Sequence, residues 1–345
     1  MTSRPRIASL IFEVTQRCNH ACLHCYNVWQ GPQPAGRPYP RGEFDTARTL
    51  SLLAKALDEC DCPHVTLTGG EPLLRPDLER ILDFLQERKV RVTLISNGRL
   101  LDDRRVAALV GRGAALFELP LLSHRREMHD ELSAAPGAWD AVLKAMTAVR
   151  LARGQVVAAF VLTRRNAADL AEALRLAFAF GARGVMINRF NPGGRGRDHL
   201  EELLPSVAQV REALATAESA SAEYRLPISC SIPIQPCLID TAAYPHIGFG
   251  YCAAGSERAY YALDPLGNLR PCNHSDLILG NLFANSFAEL ISPEKLSAFT
   301  CALPAHCSAC ERRLECQGGC KAAAQVCSGS LSAEEPFLRQ ALPAA

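Results

Sequence analysis

Short apolar runs and longer amphipathic stretches take turns along roughly the first two hundred residues. Residues 7–15 (IASLIFEVT) form a β-branched apolar run that reads as a buried strand. FDTARTLSLLAKALDEC follows with helical periodicity, and Asp45 or Thr46 stands where an N-cap belongs. The same order then repeats. VTLTGG (65–70) predicts a strand and PDLERILDFLQERK a helix, then VRVTLISNG (90–98) a strand and DDRRVAALVGRG a helix. ALFELPLL (115–122), VVAAFVLT (156–163) and GVMINRF (184–190) predict three more strands, separated by helical patterns around 137–153 and 166–180. Strands alternating with helices at this spacing predict βα units and a parallel α/β sheet, closed or partly closed into a barrel. Barrels of this kind keep their chemistry at the C-terminal ends of the strands.

The alternation weakens beyond about residue 200. A helical stretch, PSVAQVREALATAESA, leads into RLPISCSIPIQPC and a cysteine-rich region. Ten of the fifteen cysteines lie beyond residue 229. The chain of 345 residues is long enough for one large domain and a smaller appendage. A net charge of +1, with scattered arginines, gives no support for nucleic acid or an anionic membrane as partner. No apolar run has the length of a signal peptide or a membrane span, so the expected compartment is the cytoplasm. In a reducing compartment, cysteines in this number point to metal ligation or redox chemistry before disulfides.

The first cluster, CNHACLHCYN (18–27), follows the first strand directly and holds Cys18, Cys22 and Cys25. Zinc completed by His20 or His24 is one reading of three such thiols. An iron–sulfur cluster with one iron left open for a small ligand is another. CNHACLHCY resembles the C-x3-C-x2-C signature of the radical S-adenosylmethionine (SAM) enzymes, and two further features are similar to that family. TLTGGEPLL carries Gly69, Gly70 and Glu71 at the end of the second strand, and ISNGR (95–99) carries Ser96 and Asn97 at the end of the third. The resemblance implies a partial (βα)6 TIM-type barrel. It also implies a [4Fe–4S] cluster on the three cysteines and SAM on its open iron, contacted by these five residues and by His24 near the adenine.

In the tail, Cys252, Gly267 and Cys272 form a C-x14-G-x4-C unit. Cys307, Cys310, Cys316 and Cys320 then run C-x2-C-x5-C-x3-C, and Cys327 follows. Alone, this could be a zinc ribbon. Behind the barrel motifs it resembles the SPASM extension, which implies two auxiliary clusters. By position, Cys307, Cys310, Cys316 and Cys327 would hold one. Cys252, Cys272 and Cys320 would supply three ligands to the other. A fourth ligand for the latter is not evident: Cys230, Cys237 or Cys301 could fold back, or the iron could stay open. ALDPLGNLRPC (262–272) reads as the hairpin that delivers Cys272. Cys60 and Cys62 fall outside every motif and read as inert thiols. The division implied is 8–225 for the barrel, 226–330 for the extension and 331–345 for a tail.

The resemblance also implies the reaction type: reductive cleavage of SAM to a 5′-deoxyadenosyl radical, then hydrogen abstraction from substrate. The substrate expected is a ribosomally made precursor peptide that undergoes a crosslink or related oxidative C–H step. The alternatives are a tetrapyrrole propionate, or a non-catalytic iron–sulfur or zinc protein. Asn273, where formylglycine-forming members have an aspartate, counts against that class. NRFNPGGRGR (188–197) resembles a strand-six loop of peptide-modifying and haem-forming members, and Arg189, Arg195 and Arg197 are its candidate carboxylate binders. ELPLLSHRREMHD lacks the aspartate of the Ser-Leu-Asp-Gly run found in many relatives, although His129 and Asp130 match the residues that follow it. A reductant such as flavodoxin or ferredoxin is the expected electron donor. The barrel begins close to Met1, so peptide recognition is expected to be direct or through a separate protein. The motifs name no catalytic side chain.

Overall fold

The computed structural model describes residues 4–31 and 38–340. Six strands form the expected parallel sheet in sequence order: β1 (Ser9–Thr15), β2 (His64–Gly69), β3 (Arg91–Ile95), β4 (Ala114–Pro120), β5 (Gln155–Leu162) and β6 (Gly184–Arg189). The helices α1 (Thr46–Glu59), α2 (Leu78–Glu87), α3 (Asp103–Gly111), α4 (Arg126–Ser133), α5 (Ala138–Leu151) and α6 (Leu170–Ala179) connect them. Asp45 caps α1, its carboxylate accepting from the Arg48 N–H at 2.8 Å. That satisfies one of the four donors a helix start leaves open.

Along β5, Val156, Ala158, Phe160 and Leu162 are buried against the helices, while Val157, Ala159 and Val161 between them are half-buried. Side chains alternate between the faces of a strand. The incompletely covered set therefore belongs to the inner face, which opens into a cavity at the C-terminal ends of the strands.

The sheet does not stop at β6. β7 (Ile228–Cys230) and β8 (Ile247–Phe249) extend it in parallel, and β9 (Tyr260–Leu263) adds to the free edge of β1, also in parallel. β10 (Asn268–Arg270) returns antiparallel to β9, as the hairpin reading required, and β11 (Gly280–Asn281) completes an eleven-stranded order β11-β10-β9-β1-β2-β3-β4-β5-β6-β7-β8. The cysteine-rich region is thus joined to both edges of the barrel sheet. A buried ion pair between Glu13 of β1 and Arg270 of β10 ties it across β9. Burial pushes the Glu13 carboxyl up to about 7 against the pull of Arg270.

The described part of the tail, residues 331–340, packs onto the rest of the protein. Glu335, Phe337 and Leu338 are buried, and a short helix, Pro336–Arg339, packs beside the helix Lys321–Ser328. Residues 341–345 lie outside the described residues. No helix of the described residues is long and apolar enough to cross a membrane.

Candidate active site

A cavity of about 160 Å³ lies at the strand ends, lined by Cys18, Cys22 and Cys25, by Gly69, Gly70, Ser96 and Asn97, and by His20, His24 and Glu118. Most of the residues singled out in the first three strand-end motifs therefore meet in one place.

The two glycines that line the cavity also let two backbone segments meet. Gly69 has φ +126°, and a Cβ there would stand 2.3 Å from the Thr15 carbonyl oxygen. A Cβ on Gly70 would stand 2.0 Å from that of Arg17. The close approach is to the backbone that leaves β1. Gly70 N–H donates to Thr15 O at 2.8 Å and Glu71 N–H to Arg17 O at 2.8 Å. The strip thus grips the chain just before Cys18. Asn27, beyond Cys25, donates to Gly69 O at 2.7 Å and closes the loop from its other end.

Glu71 does not line the cavity. It is fully buried, and its carboxylate accepts from Ser96 Oγ at 2.9 Å, Asn97 N–H at 2.8 Å and Leu73 N–H at 3.1 Å. Burial raises its pKa, and these hydrogen bonds hold it down. Its role is to fix the end of β3, from which Asn97 Nδ2 reaches Asn19 Oδ1 at 2.7 Å inside the cysteine loop.

Burial raises the pKa of Cys18, Cys22 and Cys25, in the last case to about 11. Iron binding deprotonates such thiols outright. Among the described residues, no three His, Cys, Asp or Glu side chains are drawn up tightly enough to grip one metal ion. A cubane is held at separate irons, so a wider set of thiols suits it. His20 Nε2 and His24 Nδ1 are enclosed without a protein partner, and burial lowers both imidazoles to about 4. Neutral rings with unspent nitrogens fit a cavity that receives a polar ligand.

Arg189 departs from expectation. It is not at the cavity; its guanidinium is fully buried and donates to both carboxylate oxygens of Glu335, each at 2.7 Å, and to Pro233 O at 3.0 Å. The carboxylate it binds is the protein's own. Arg195 stays near the cysteine loop and donates to Gln30 Oε1 at 3.3 Å, next to Gly196, whose N–H donates to Cys25 O at 2.9 Å. His129 and Asp130 serve the fold. His129 is buried against Pro120 O, and Asp130 accepts from Gly137 and Trp139 N–H at the start of α5. After β4, Ser123 Oγ donates to Asp169 at 2.6 Å, and Arg125 donates to the same carboxylate.

Cys252, Cys272 and Cys320 come together around a second, smaller cavity with Tyr260 and His274. Asn191 Nδ2 donates to Cys320 Sγ at 3.3 Å and to His274 Nδ1 at 3.2 Å. The two centres are linked. The Tyr26 ring, next to Cys25, stacks on His274 with centroids 4.0 Å apart, and Asn273 donates to the Tyr26 hydroxyl at 3.0 Å. Nothing in the sequence pattern pointed to this bridge. Cys307, Cys310 and Cys316 gather in the turn and short helix of residues 305–316. Cys327 lies near the end of the helix Lys321–Ser328, among Arg197, Arg339 and Glu335.

Residues 12–177 match the profile of the Radical SAM superfamily. The chain is 27% identical over 335 residues to the PqqA peptide cyclase of Gluconobacter oxydans, covering 95% of this chain and 89% of that one. It is 25% identical over 359 residues to the AdoMet-dependent heme synthase of Methanosarcina barkeri, covering 98% and 97%. Among solved structures, Streptococcus suis SuiB bound to precursor peptide SuiA superposes with a TM-score of 0.72 at 15% identity, over 96% of this chain and 76% of that one. This last likeness is one of fold. Residues 12–177 thus carry a Radical SAM domain, and the protein is a radical SAM iron–sulfur oxidoreductase that uses SAM and a [4Fe–4S] cluster.

Proposed function

We propose that this enzyme modifies a ribosomally made peptide by an oxidative C–H step, a crosslink or a related bond change. Cys18, Cys22 and Cys25 hold the SAM cluster in this reading. Gly69, Gly70, Ser96 and Asn97 flank SAM, Glu71 positions the β3 end, and His24 faces the ligand with a neutral ring. The cysteines of the tail would hold auxiliary clusters, which would supply an electron acceptor for an oxidative outcome. The chemistry the cofactors supply when bound is one-electron cleavage of SAM and hydrogen abstraction from the substrate. The protein's part is to orient SAM, exclude water and present one C–H bond. An electron donor such as flavodoxin or ferredoxin is required, and a separate peptide-recognition protein is compatible with the fold.

What supports a peptide over a tetrapyrrole is the likeness, over nearly the whole chain, to a relative named for peptide cyclisation, 27% identical over 335 residues, against 25% for the relative named for heme synthesis. The cavity's own lining, with Glu118 as its acidic side chain and Arg195 acting on all three thiols from beside it, is compatible with that substrate class.

The test is anaerobic turnover with dithionite and SAM, comparing wild type with a Cys18→Ala, Cys22→Ala, Cys25→Ala variant. Wild type should form 5′-deoxyadenosine, and the variant should lose that activity together with about four irons, one cubane. A fully iron-loaded wild type that forms none, with or without candidate peptides, overturns the reading. Zinc in these sites after anaerobic reconstitution does so as well.

A further inference from the structure

Cys327 was to complete the auxiliary site of Cys307, Cys310 and Cys316, but the groups that act on it are others. It lies seven residues beyond Cys320 on one helix, about 10 Å along the axis at 1.5 Å per residue. Its charged neighbours are Arg197, Arg339 and Glu335, with no cysteine among them.

Another thiol stands where Cys327 does not. The segment after β7 turns at Gln235, whose carbonyl accepts from Leu238 N–H at 2.9 Å and Ile239 N–H at 3.1 Å, so that Cys237 sits within a tight turn. Two contacts pin this turn to the cysteine region. Gln235 Nε2 donates to Glu335, and Glu335 also accepts from the Cys320 N–H at 2.8 Å. Gly319 lies so close that a Cβ there would meet Gln235 Nε2 at 2.1 Å and Glu335 Oε1 at 2.3 Å. Gln317, Gly318 and Gly319 all have positive φ, so the chain between Cys316 and Cys320 folds back sharply against this turn. Cys237 follows Gln235 by two residues, and Cys316 precedes Gly319 by three. The thiols are mutual electrostatic neighbours as a result. Cys307 feels Cys316, Cys237 and Cys310; Cys316 feels Cys237; and Cys237 feels Cys310.

The other spare thiols do not compete. Cys230 is buried in β7, where burial alone raises its pKa. Cys301 lines a separate cavity with Thr300, Leu303 and Arg313.

We infer that Cys237, and not Cys327, is the fourth thiolate of the auxiliary cluster held by Cys307, Cys310 and Cys316. The inference rests on the reading that the tail carries iron–sulfur clusters. The ligand comes from the turn after β7, so this cluster fastens the extension of the barrel sheet to the cysteine region. Cys327 is a free thiol.

The test compares anaerobically reconstituted full-length wild type, Cys237→Ala and Cys327→Ala by iron and sulfide analysis, Mössbauer spectroscopy and EPR. Cys237→Ala should lose about four irons, one cubane, or show the EPR signal of an oxidised three-iron cluster. Cys327→Ala should match wild type in all three measurements, and alkylation of the native holoprotein should label Cys327 but not Cys237. Cys237 is exposed, so its truncation leaves the packed core intact, and circular dichroism should be unchanged. The inference is overturned if Cys327→Ala loses the cluster while Cys237→Ala keeps it, or if both keep it. A wild type that retains only about four irons, all lost with Cys18, Cys22 and Cys25, overturns the auxiliary-cluster reading itself.

Discussion

Arg189 and Glu335, 146 residues apart in the chain, form a doubly hydrogen-bonded ion pair with no solvent exposure on either side chain. Arg189 closes β6, and Glu335 opens the last described helix. Gln235 and the Cys320 backbone meet on the same carboxylate, so one residue joins strand six, the turn of Cys237 and the cysteine region.

Breaking that pair leaves an uncompensated buried charge. Glu335→Ala should therefore cost about 3–5 kcal/mol of stability. The double variant Arg189→Met, Glu335→Leu should recover much of it, because the desolvation of two charges disappears along with their attraction. Denaturant unfolding of the two proteins checks this. Equal losses in both would mean that packing, and not charge, governs the site.

Gly70→Ala should remove the SAM cluster while the barrel still folds. The new methyl would meet the Arg17 carbonyl oxygen, and the backbone leading into Cys18 would have to move. Gly111→Ala is the control. It ends α3 with nothing within 4 Å of its Cβ, and alanine there should stabilise by about 0.5–1 kcal/mol. Iron content and thermal unfolding of both variants separate the two effects.

Glu71→Gln keeps the shape but replaces a carboxylate oxygen with an amide donor facing Ser96 Oγ or the Asn97 N–H. At about 1.5–3 kcal/mol for a hydrogen bond to a charged group, SAM affinity should fall by roughly 10-fold or more. Iron content should stay at the wild-type level, since Glu71 touches none of the cysteines. Equilibrium dialysis of SAM gives the affinity, and unaltered binding would remove Glu71 from its positioning role.

Glu118 supplies a pH signature. Burial lifts its carboxyl from about 4.5 to about 7, so the folded protein holds this proton more tightly than the unfolded chain. The associated stability is complete below about pH 4.5 and is lost as the pH rises through about 7. Glu118→Gln removes the titration. Relative to wild type, the variant should therefore gain Tm, and gain more at about pH 8 than at about pH 5. His20 and His24, both held near 4, stay neutral across that window. A Tm difference independent of pH would contradict the burial of this carboxylate.

Much of the barrel was legible in the residue pattern because parallel strands covered on both faces are continuous apolar runs, and amphipathic helices separate them at regular intervals. The three motifs at successive strand ends could be placed together for the same reason: adjacent parallel strands put their C-terminal ends side by side. β7 and β8 are three residues each, too short for any periodicity to announce. The roles inside the motifs were less visible. That Gly70 makes room for the Arg17 carbonyl, and that Glu71 serves Asn97, depend on where two chain segments cross.

The sequence by itself determined the cysteine spacings, the order of strands and helices, and the chemistry those thiols favour, because each is carried by residues close together in the chain. Only the tertiary structure decided which groups meet across long separations. It turned Arg189 toward Glu335 and away from the cavity, set Tyr26 on His274, and drew Cys237 toward Cys307, Cys310 and Cys316. Such pairings arise when the chain closes on itself and each buried polar group must find a partner, and no local spacing records which partner it finds.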